Sequence, residues 1–540
     1  MAKYSDFITE LVQDKWAILG SDISAALIVK YGIEPDNARK IIQRAKVKGI
    51  IVSSTPLTFG KGQFLYIQPG NYFGLKMVKD ASSKTRKPLF RLLEILDMFD
   101  MISFYEGLKI TASPEEKSSS KISLLIDMIK DLEKLGIVST KSDGWDNNFV
   151  FRREAFPPGV DREKEIDLAM DKHLRSMKLD AVLIPDIIRW LRKTNLIDSG
   201  ATYRNVISPA NGVKINEIFW DAFAYTKTTG INPNRASESN HIEKQTLVIF
   251  DVVISRKYLQ ADLDGFLARI QITLNSVKEG QRKVLPIIVF KEIEEITLYR
   301  AKMLGFLAFD IKTIFGTNVS SVIENFRKIF AGQEPKLTDI EPALLAIDQS
   351  GHTDELRSIR GALFEALMHL VIKRFYPNAQ VLQSRKLKSE WKNKIREFDL
   401  ILISSHPKEI LLVELKGYTG KSFISLGDSE TKDTLKYFFE GSLSVAQDYY
   451  SADNSLNDYK IKTLYITTGS FHSDTNQFIS TINKSAFKSS QFDVCIDGNG
   501  LEQLLADEGF DHEKNIIKKY FLKNHGSDEN HSNLLEELGL

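Results

Sequence analysis

Cysteine is almost absent from this chain of 540 residues: Cys495 is the only one. A lone thiol forms no intrachain disulfide and builds no thiolate metal cluster. The nine histidines show no zinc-like spacing. No apolar run reaches the length of a bilayer span, and the N-terminus lacks the apolar core of a signal peptide. The expectation is therefore a cytoplasmic protein with no membrane partner. There is no Gly-rich Walker loop, hence no built-in nucleotide motor, and no nucleophile elbow. Neither sign of charge is in excess: 72 Lys and Arg face 71 Asp and Glu, a net charge of +1. Any case for nucleic acid must then rest on local patches.

What is present is ordinary globular composition, 43% apolar and 26% charged, in a chain too long for one core. Three or four domains are expected. The first, 1–75, reads as amphipathic helices over 5–15 and 21–31, with Ser5 and Ser21 at the N-cap positions, and over 35–48, closed by Gly49. Strands at 50–52 and 63–67 follow, flanking the loop 58–62. A second pass, 85–156, has an apolar helix from Pro88 to Phe104 and a helix from Ser118 to Leu135, closed by Gly136. Its strands, 137–139 and 149–151, bracket a turn at 142–144. This order resembles a tandem of winged helix-turn-helix domains. In the first, Lys40, Arg44 and Lys48 recur at i, i+4 as a basic stripe, which is either a DNA-reading face or a solvated one. The matching helix of the second carries Asp127, Asp131 and Glu133, which suits packing or protein contact.

A third region, 160–331, begins with a charged helix over 161–175. A hairpin-like pair (203–208 and 214–225) and a polar loop over 227–244 follow. Strands at 246–254, 284–290 and 306–309 then alternate with helices at 263–276, 297–304 and 319–330. The last region, 345–524, repeats that order, and 525–540 reads as a tail. Helix 355–375, a strand near 380–383 and the strands after Asp399 come first. Then come helix 431–451, strand 463–467, helix 475–484, strand 492–496 and helices at 501–506 and 514–523. Mixed strands between helices indicate an α/β sandwich.

The densest chemistry lies in the last region. The apolar runs Leu400–Ile403 and Ile410–Val413 read as buried strands joined by a turn at 404–408, which brings Asp399 near Glu414. Lys416 repeats the face of Glu414 because strand side chains alternate with period two. Two carboxylates and an ammonium at one point suit a hard cation and an attacking water. Glu414 also interrupts an otherwise apolar strand, where an unpartnered charge is costly. Gly361-Ala362-Leu363-Phe364-Glu365 precedes this on a helix. Between them Arg385, Lys386, Lys388, Lys392, Lys394 and Arg396 crowd a stretch read as a loop, with Trp391 among them as either a base-stacking or a packing residue.

These elements, in this order, resemble the PD-(D/E)xK, or restriction-endonuclease-like, nucleases over roughly 356–506. The resemblance implies hydrolysis of phosphodiester bonds, usually in DNA, with Mg²⁺ (Mn²⁺ as a substitute). By it Asp399 and Glu414 are metal ligands, Lys416 positions or activates the water, and Glu365 is an auxiliary ligand or orients that water. Gln447 and Tyr450 fall one residue short of the spacing of a Gln-Tyr motif in some branches, and helix packing suits Tyr450 better. The expected fold is thus multidomain: N-terminal α+β winged helices followed by α/β restriction-endonuclease-like domains with mixed central sheets. DNA is the expected partner, with a homodimer or higher homo-oligomer and a companion protein in prokaryotic restriction or anti-phage defence. A non-cleaving DNA-binding regulator or assembly subunit, or a nuclease acting on RNA or single strands, is the alternative. In the third region Asp221 and Phe250-Asp251-Val252-Val253 stand where Asp399 and Glu414-Leu415-Lys416 do, with Val253 replacing the lysine. A degenerate nuclease-like domain or an unrelated α/β domain both fit.

Overall fold

A computed structural model describes residues 2–115, 124–143, 147–198, 200–206, 208–227, 246–275, 283–330, 335–389, 391, 394–418, 422–452, 454–456 and 458–522. The polar loop 228–245, Lys392, most of the expected linker 332–336 and the tail lie outside the described residues. The chain divides into two compact units, 1–184 with 188–311, and 185–187 with 312–540. This division falls before, not after, the helix ending at Phe330. Among the described residues no helix is long and apolar enough to cross a membrane.

The first unit opens with α1 (Ala2–Lys15), β1 (Ile18–Leu19), α2 (Gly20–Tyr31), α3 (Pro35–Val47), β2 (Val52–Ser53) and β3 (Leu65–Ile67). The antiparallel sheet has the order β1-β3-β2. Pro35 starts α3, and Gly49 beyond its end has φ +71°, the left-handed geometry glycine adopts freely. The expected serine caps are corrected: α1 starts three residues before Ser5, and α2 has Leu19 at its N-cap with no side-chain bond.

The second pass has the same plan. α4 (Leu75–Ser82) leads into α5 (Lys87–Phe99), β4 (Met101–Ser103), α6 (Phe104–Thr111), α7 (Leu125–Lys134), β5 (Val138–Ser142) and β6 (Asn148–Arg152), with sheet order β4-β6-β5. The helix expected from Pro88 to Phe104 therefore breaks. Asp100 turns into the left-handed region (φ +62°), the chain forms β4, and Ser103 with Glu106 makes a capping box that starts α6.

The charged helix expected over 161–175 is the first half of α8 (Arg162–Lys193), whose second half is apolar. Then come β7 (Ala201–Tyr203), the hairpin β8 (Val213–Ile215) and β9 (Ile218–Trp220), β10 (Ala222–Thr226) and β11 (Thr246–Val253). The order continues with α9 (Gln260–Asn275), β12 (Val284–Phe290), α10 (Glu295–Met303) and β13 (Leu307–Asp310). The run expected as one strand, 214–225, is split, and Asp221 sits at the junction of β9 and β10. The sheet order is β13-β12-β11-β10-β7, antiparallel on the β7/β10/β11 side and parallel on the β11/β12/β13 side. One apolar cluster joins residues of the second pass, such as Leu92, Leu108 and Val150, to Phe219, Leu259 and Ala261 of this region. The contact is close: a Cβ on Gly265 of α9 would lie 2.8 Å from the Ile110 carbonyl of α6.

The second unit contains α11 (Ile311–Phe315), nearly all of it, then α12 (Val319–Phe330), α13 (Leu337–Gln349) and α14 (Arg357–Phe375). Its main sheet is β14 (Gln380–Ser389), β15 (Lys394–Ser405), β16 (Lys408–Lys416), β18 (Lys460–Thr467) and β20 (Cys495–Ile496), in that order. A small pair, β17 (Phe423–Ile424) and β19 (Ser470–Phe471), lies apart from it. Helices α15 (Leu443–Ser451), α16 (Asn476–Ile482), α17 (Gly498–Asp507) and α18 (Asp511–Ile517) complete the unit. β14/β15/β16 are antiparallel and β16/β18/β20 parallel, so the two large sheets share both strand order and strand direction. The basic stretch read as a loop is instead most of the long hairpin β14/β15. The strand expected over 492–496 shortens to 495–496, and the helix expected from Thr431 begins at Leu435.

Candidate active site

The apolar faces of β15 and β16 are buried throughout, from Leu400 to Leu402 and from Ile410 to Val413, and that burial fixes their register. Leu400 pairs with Val413, so Asp399 stands one step on, opposite Glu414. The Leu415 N–H donates to Asp399 Oδ2 at 2.6 Å and aims that carboxylate. Lys416 Nζ lies 2.8 Å from Glu414 Oε1 and 3.0 Å from Asp433 Oδ1. The expected trio is thus brought together where the C-terminal end of β16 meets the middle of β15.

Glu365 arrives from α14. A Cβ on Gly417, just past β16, would lie 2.6 Å from Phe364 Cβ, so α14 packs directly on the strand end. Gly361 has nothing within 4 Å of a built Cβ, so packing places no demand for glycine there. Burial, Glu414 and Glu365 together push the Asp399 carboxyl well above the usual range. Burial acts to lower the Lys416 ammonium, but Glu414, Asp399 and Asp433 outweigh it and hold it charged. Burial also pushes the nearby Tyr418 hydroxyl up to about 12. Tyr465, which pairs with Glu414 across β16/β18, is buried, and its hydroxyl has no hydrogen-bond partner among the described residues. Among the described residues no group of three or more His, Cys, Asp or Glu side chains is arranged to hold a metal ion.

Sequence reasoning missed Asp433 and Tyr465. Asp433 was absorbed into a long helix, whereas its φ of +63° sets it in a turn before the helix. A segment of wide, π-type turns over 437–442 then precedes α15. Tyr450 is buried in the core and Gln447 is exposed, which agrees with a packing role for the tyrosine.

The basic residues divide by partner. Across the hairpin Arg385 faces Phe398, Lys386 faces Glu397 and Lys388 faces Ile395. Lys394 bonds Glu430 at 2.9 Å; Arg396 approaches Glu430 at 3.8 Å and stacks over the Tyr437 ring. Lys388 is exposed, and Trp391 at the hairpin end is 85% exposed rather than packed. In the first unit, Lys40, Arg44 and Lys48 are all exposed on or just after α3, with Ile42 and Ala45 buried behind them.

In the middle sheet, Arg256 is committed to Asp262 at 2.7 Å and Lys257 to Glu294 at 3.0 Å. Neither takes the place of the missing lysine at Val253. Compared with known proteins, the chain matches no family model, no curated protein and no solved structure.

Proposed function

We propose that the C-terminal unit is a metal-dependent endonuclease of the PD-(D/E)xK kind that hydrolyses DNA, with the two N-terminal helix–strand modules serving as winged helices for recognition. The observation that carries this reading is the meeting of Asp399, Glu414 and Lys416 at one strand end beside α14. The helix–strand–helix–helix–strand–strand order and three-stranded sheets of both N-terminal modules suit the winged-helix part.

The residues fit a hard divalent cation. Burial, Glu414 and Glu365 raise the Asp399 carboxyl more than Lys416 lowers it, and among the described residues the buried Tyr465 hydroxyl has no hydrogen-bond partner. Asp399 and Glu414 would hold Mg²⁺ or Mn²⁺, with Glu365 as auxiliary. Such a cation supplies electrophilic stabilisation of a phosphoryl oxygen and a more acidic bound water. Lys416, held charged by Glu414 and Asp433, positions the attacking water and offsets charge in the transition state. The exposed Lys388 and Trp391 offer a phosphate contact and a stacking face on the same β14/β15 hairpin that carries Asp399. A homodimer would let one site per chain cut both strands; restriction or anti-phage defence in a prokaryotic cytoplasm, with a companion protein, is the setting we assign.

The test is incubation with plasmid, linear duplex, single-stranded DNA and RNA, with and without Mg²⁺. Wild-type protein should cut duplex DNA only with the metal, while Glu414→Ala and Lys416→Ala bind without cutting. Equal cutting by the variants, or binding with no cutting by any form, ends this reading; cutting of RNA alone moves the substrate.

A further inference from the structure

The middle sheet places carboxylates at the same station as the candidate active site. Ala222 pairs with Phe250, so Asp221 and Asp251 face each other one step past the apolar ladder, as Asp399 and Glu414 do past Leu400 and Val413. Asp221 Oδ2 accepts the Val252 N–H at 2.9 Å, the counterpart of the Leu415 bond to Asp399. Asp180 comes from the preceding helix, as Glu365 does, and accepts the N–H groups of Ile254 and Ser255 at 2.8 and 2.7 Å. What differs is the source of positive charge. Val253, not lysine, ends the strand, and Lys109 enters from α6, 112 residues before Asp221 in sequence. Its ammonium bonds Asp221 Oδ2 and lies 2.8 Å from Asp251 Oδ1.

We infer that the first unit contains a second cation seat of the same plan, and that the Lys109 ammonium permanently occupies it. An ammonium bridging two carboxylates fills the space that a divalent ion would take, since oxygen ligands of such ions converge within about 2.0–2.6 Å of the metal. Around it the charges are completed: Arg204 Nε stands 3.1 Å from Asp221 Oδ1 and Arg269 Nη2 2.8 Å from Asp251 Oδ1. Tyr105 and Tyr258 donate to the same two carboxylates at 2.7 and 3.1 Å. Each oxygen of Asp221 and Asp251 thus already has at least one partner, and the charge that would have held a metal instead clamps α6 to the sheet. Beside Lys109 a cavity of about 20 Å³, lined by Asp180, Arg204 and Val253, has room for a water, so shortening the side chain would open space continuous with it. With Lys109 gone, three carboxylates face two arginines, and the seat should accept a hard divalent cation.

The inference takes its plan from the cation reading of Asp399 and Glu414, so the test is made in the Glu414→Ala chain, whose candidate site is weakened, and Asp251→Asn serves to assign any metal effect to the first unit. Full-length Glu414→Ala is compared with Glu414→Ala/Lys109→Ala and Glu414→Ala/Lys109→Met, each melted in EDTA and in Mn²⁺ or Mg²⁺. Removing the ammonium leaves buried carboxylates uncompensated, so Tm of the first unit should fall by roughly 10 °C in EDTA. Mn²⁺ should recover at least half of that loss in Lys109→Ala, should not shift the Lys109-containing chain, and should have no effect once Asp251→Asn is added. If the Lys109 variants do not fold in EDTA, soluble protein recovered only with Mn²⁺ present supports the inference. Loss of stability with no recovery by either metal overturns it, as does recovery that survives Asp251→Asn. Wild-type protein that binds DNA without cutting, alongside Mn²⁺ recovery here, would remove the nuclease reading and leave this one standing.

Discussion

The backbone N–H of Leu415 reaches Asp399 at 2.6 Å, so the carboxylate is aimed by the strand that carries its partner acid. Side-chain position at this site is therefore set by strand pairing rather than by a flexible loop. Neutral replacements that keep the acceptor should leave the fold intact and, on the proposed nuclease reading, remove only the cutting.

Asp399→Asn retains an oxygen for the Leu415 N–H while removing one of the crowded charges. Cutting should fall by about a hundredfold or more, the range for losing an electrostatic contact to the reacting centre. Stability in EDTA should be unchanged or higher by about 1 kcal/mol, because like-charge crowding is relieved. Urea midpoints and nicking rates measure the two effects; a strongly destabilised variant would contradict this account.

Asp433 has two separable roles, a charge on Lys416 and a left-handed backbone. Asp433→Gly keeps the backbone geometry, and Asp433→Ala adds a strain of about 1 kcal/mol. Both should slow cutting to a similar, roughly tenfold, extent, while only Asp433→Ala loses stability beyond the shared loss of the ion pair. Steady-state nicking rates and thermal melts of the pair separate the effects.

On the β14/β15 hairpin Lys388 is exposed, whereas Lys394 is bonded to Glu430 at 2.9 Å. Lys388→Ala should weaken binding to duplex DNA at every sequence tested and reduce the salt slope by about 0.9. Lys394→Ala should do less, and Glu430→Gln should tighten binding by freeing its cationic partners. Trp391→Ala should cost about 1–3 kcal/mol with single strands if the ring stacks on a base. Fluorescence anisotropy over a salt series reads all four.

Acid sensitivity of the first unit should have two sources: Asp251, raised by burial but held low by Lys109 and Arg269, and Glu106. Burial raises the Glu106 carboxyl, but His173, Arg256 and the Ser103 N–H outweigh burial and hold it well below the usual range. A carboxyl lowered on folding gives stability that is complete above its unfolded value and lost as pH falls below it. Urea midpoints of the first unit should therefore decline from about pH 4.5 downward, and Glu106→Gln, less stable at neutral pH, should show a shallower decline. Parallel slopes for the two proteins would assign the acid sensitivity elsewhere.

Legibility in the sequence followed the range of the interaction. The strand 284–290 was readable to the residue because Val284–Phe290 is a short apolar run. The Asp399/Glu414 pairing was readable because it needs only two buried strands and one turn. α8 was cut short because its first half is charged and its second half apolar, a change of environment that resembles an end. The basic hairpin reads as a loop in sequence because Arg385 to Arg396 has little apolar alternation. Asp433 carries no local signal, since a left-handed aspartate within a helical pattern looks like helix. Lys109 meeting Asp221 and Asp251 depends on the docking of α6 against the sheet, which no window of sequence contains.

The close approach of Gly265 to the Ile110 carbonyl bears on how this chain can be divided. By sequence the Pro157-Pro158-Gly159 stretch invites dissection into a recognition half and an α/β half. A fragment beginning there would lose the surface that α9 packs against and would leave Asp221 and Asp251 without their ammonium. It should be recovered as aggregate, whereas a fragment ending near Ile311 keeps that surface whole. The second helix–strand module is thus inherited together with the middle sheet: neither can be exchanged for another module without redesigning the other.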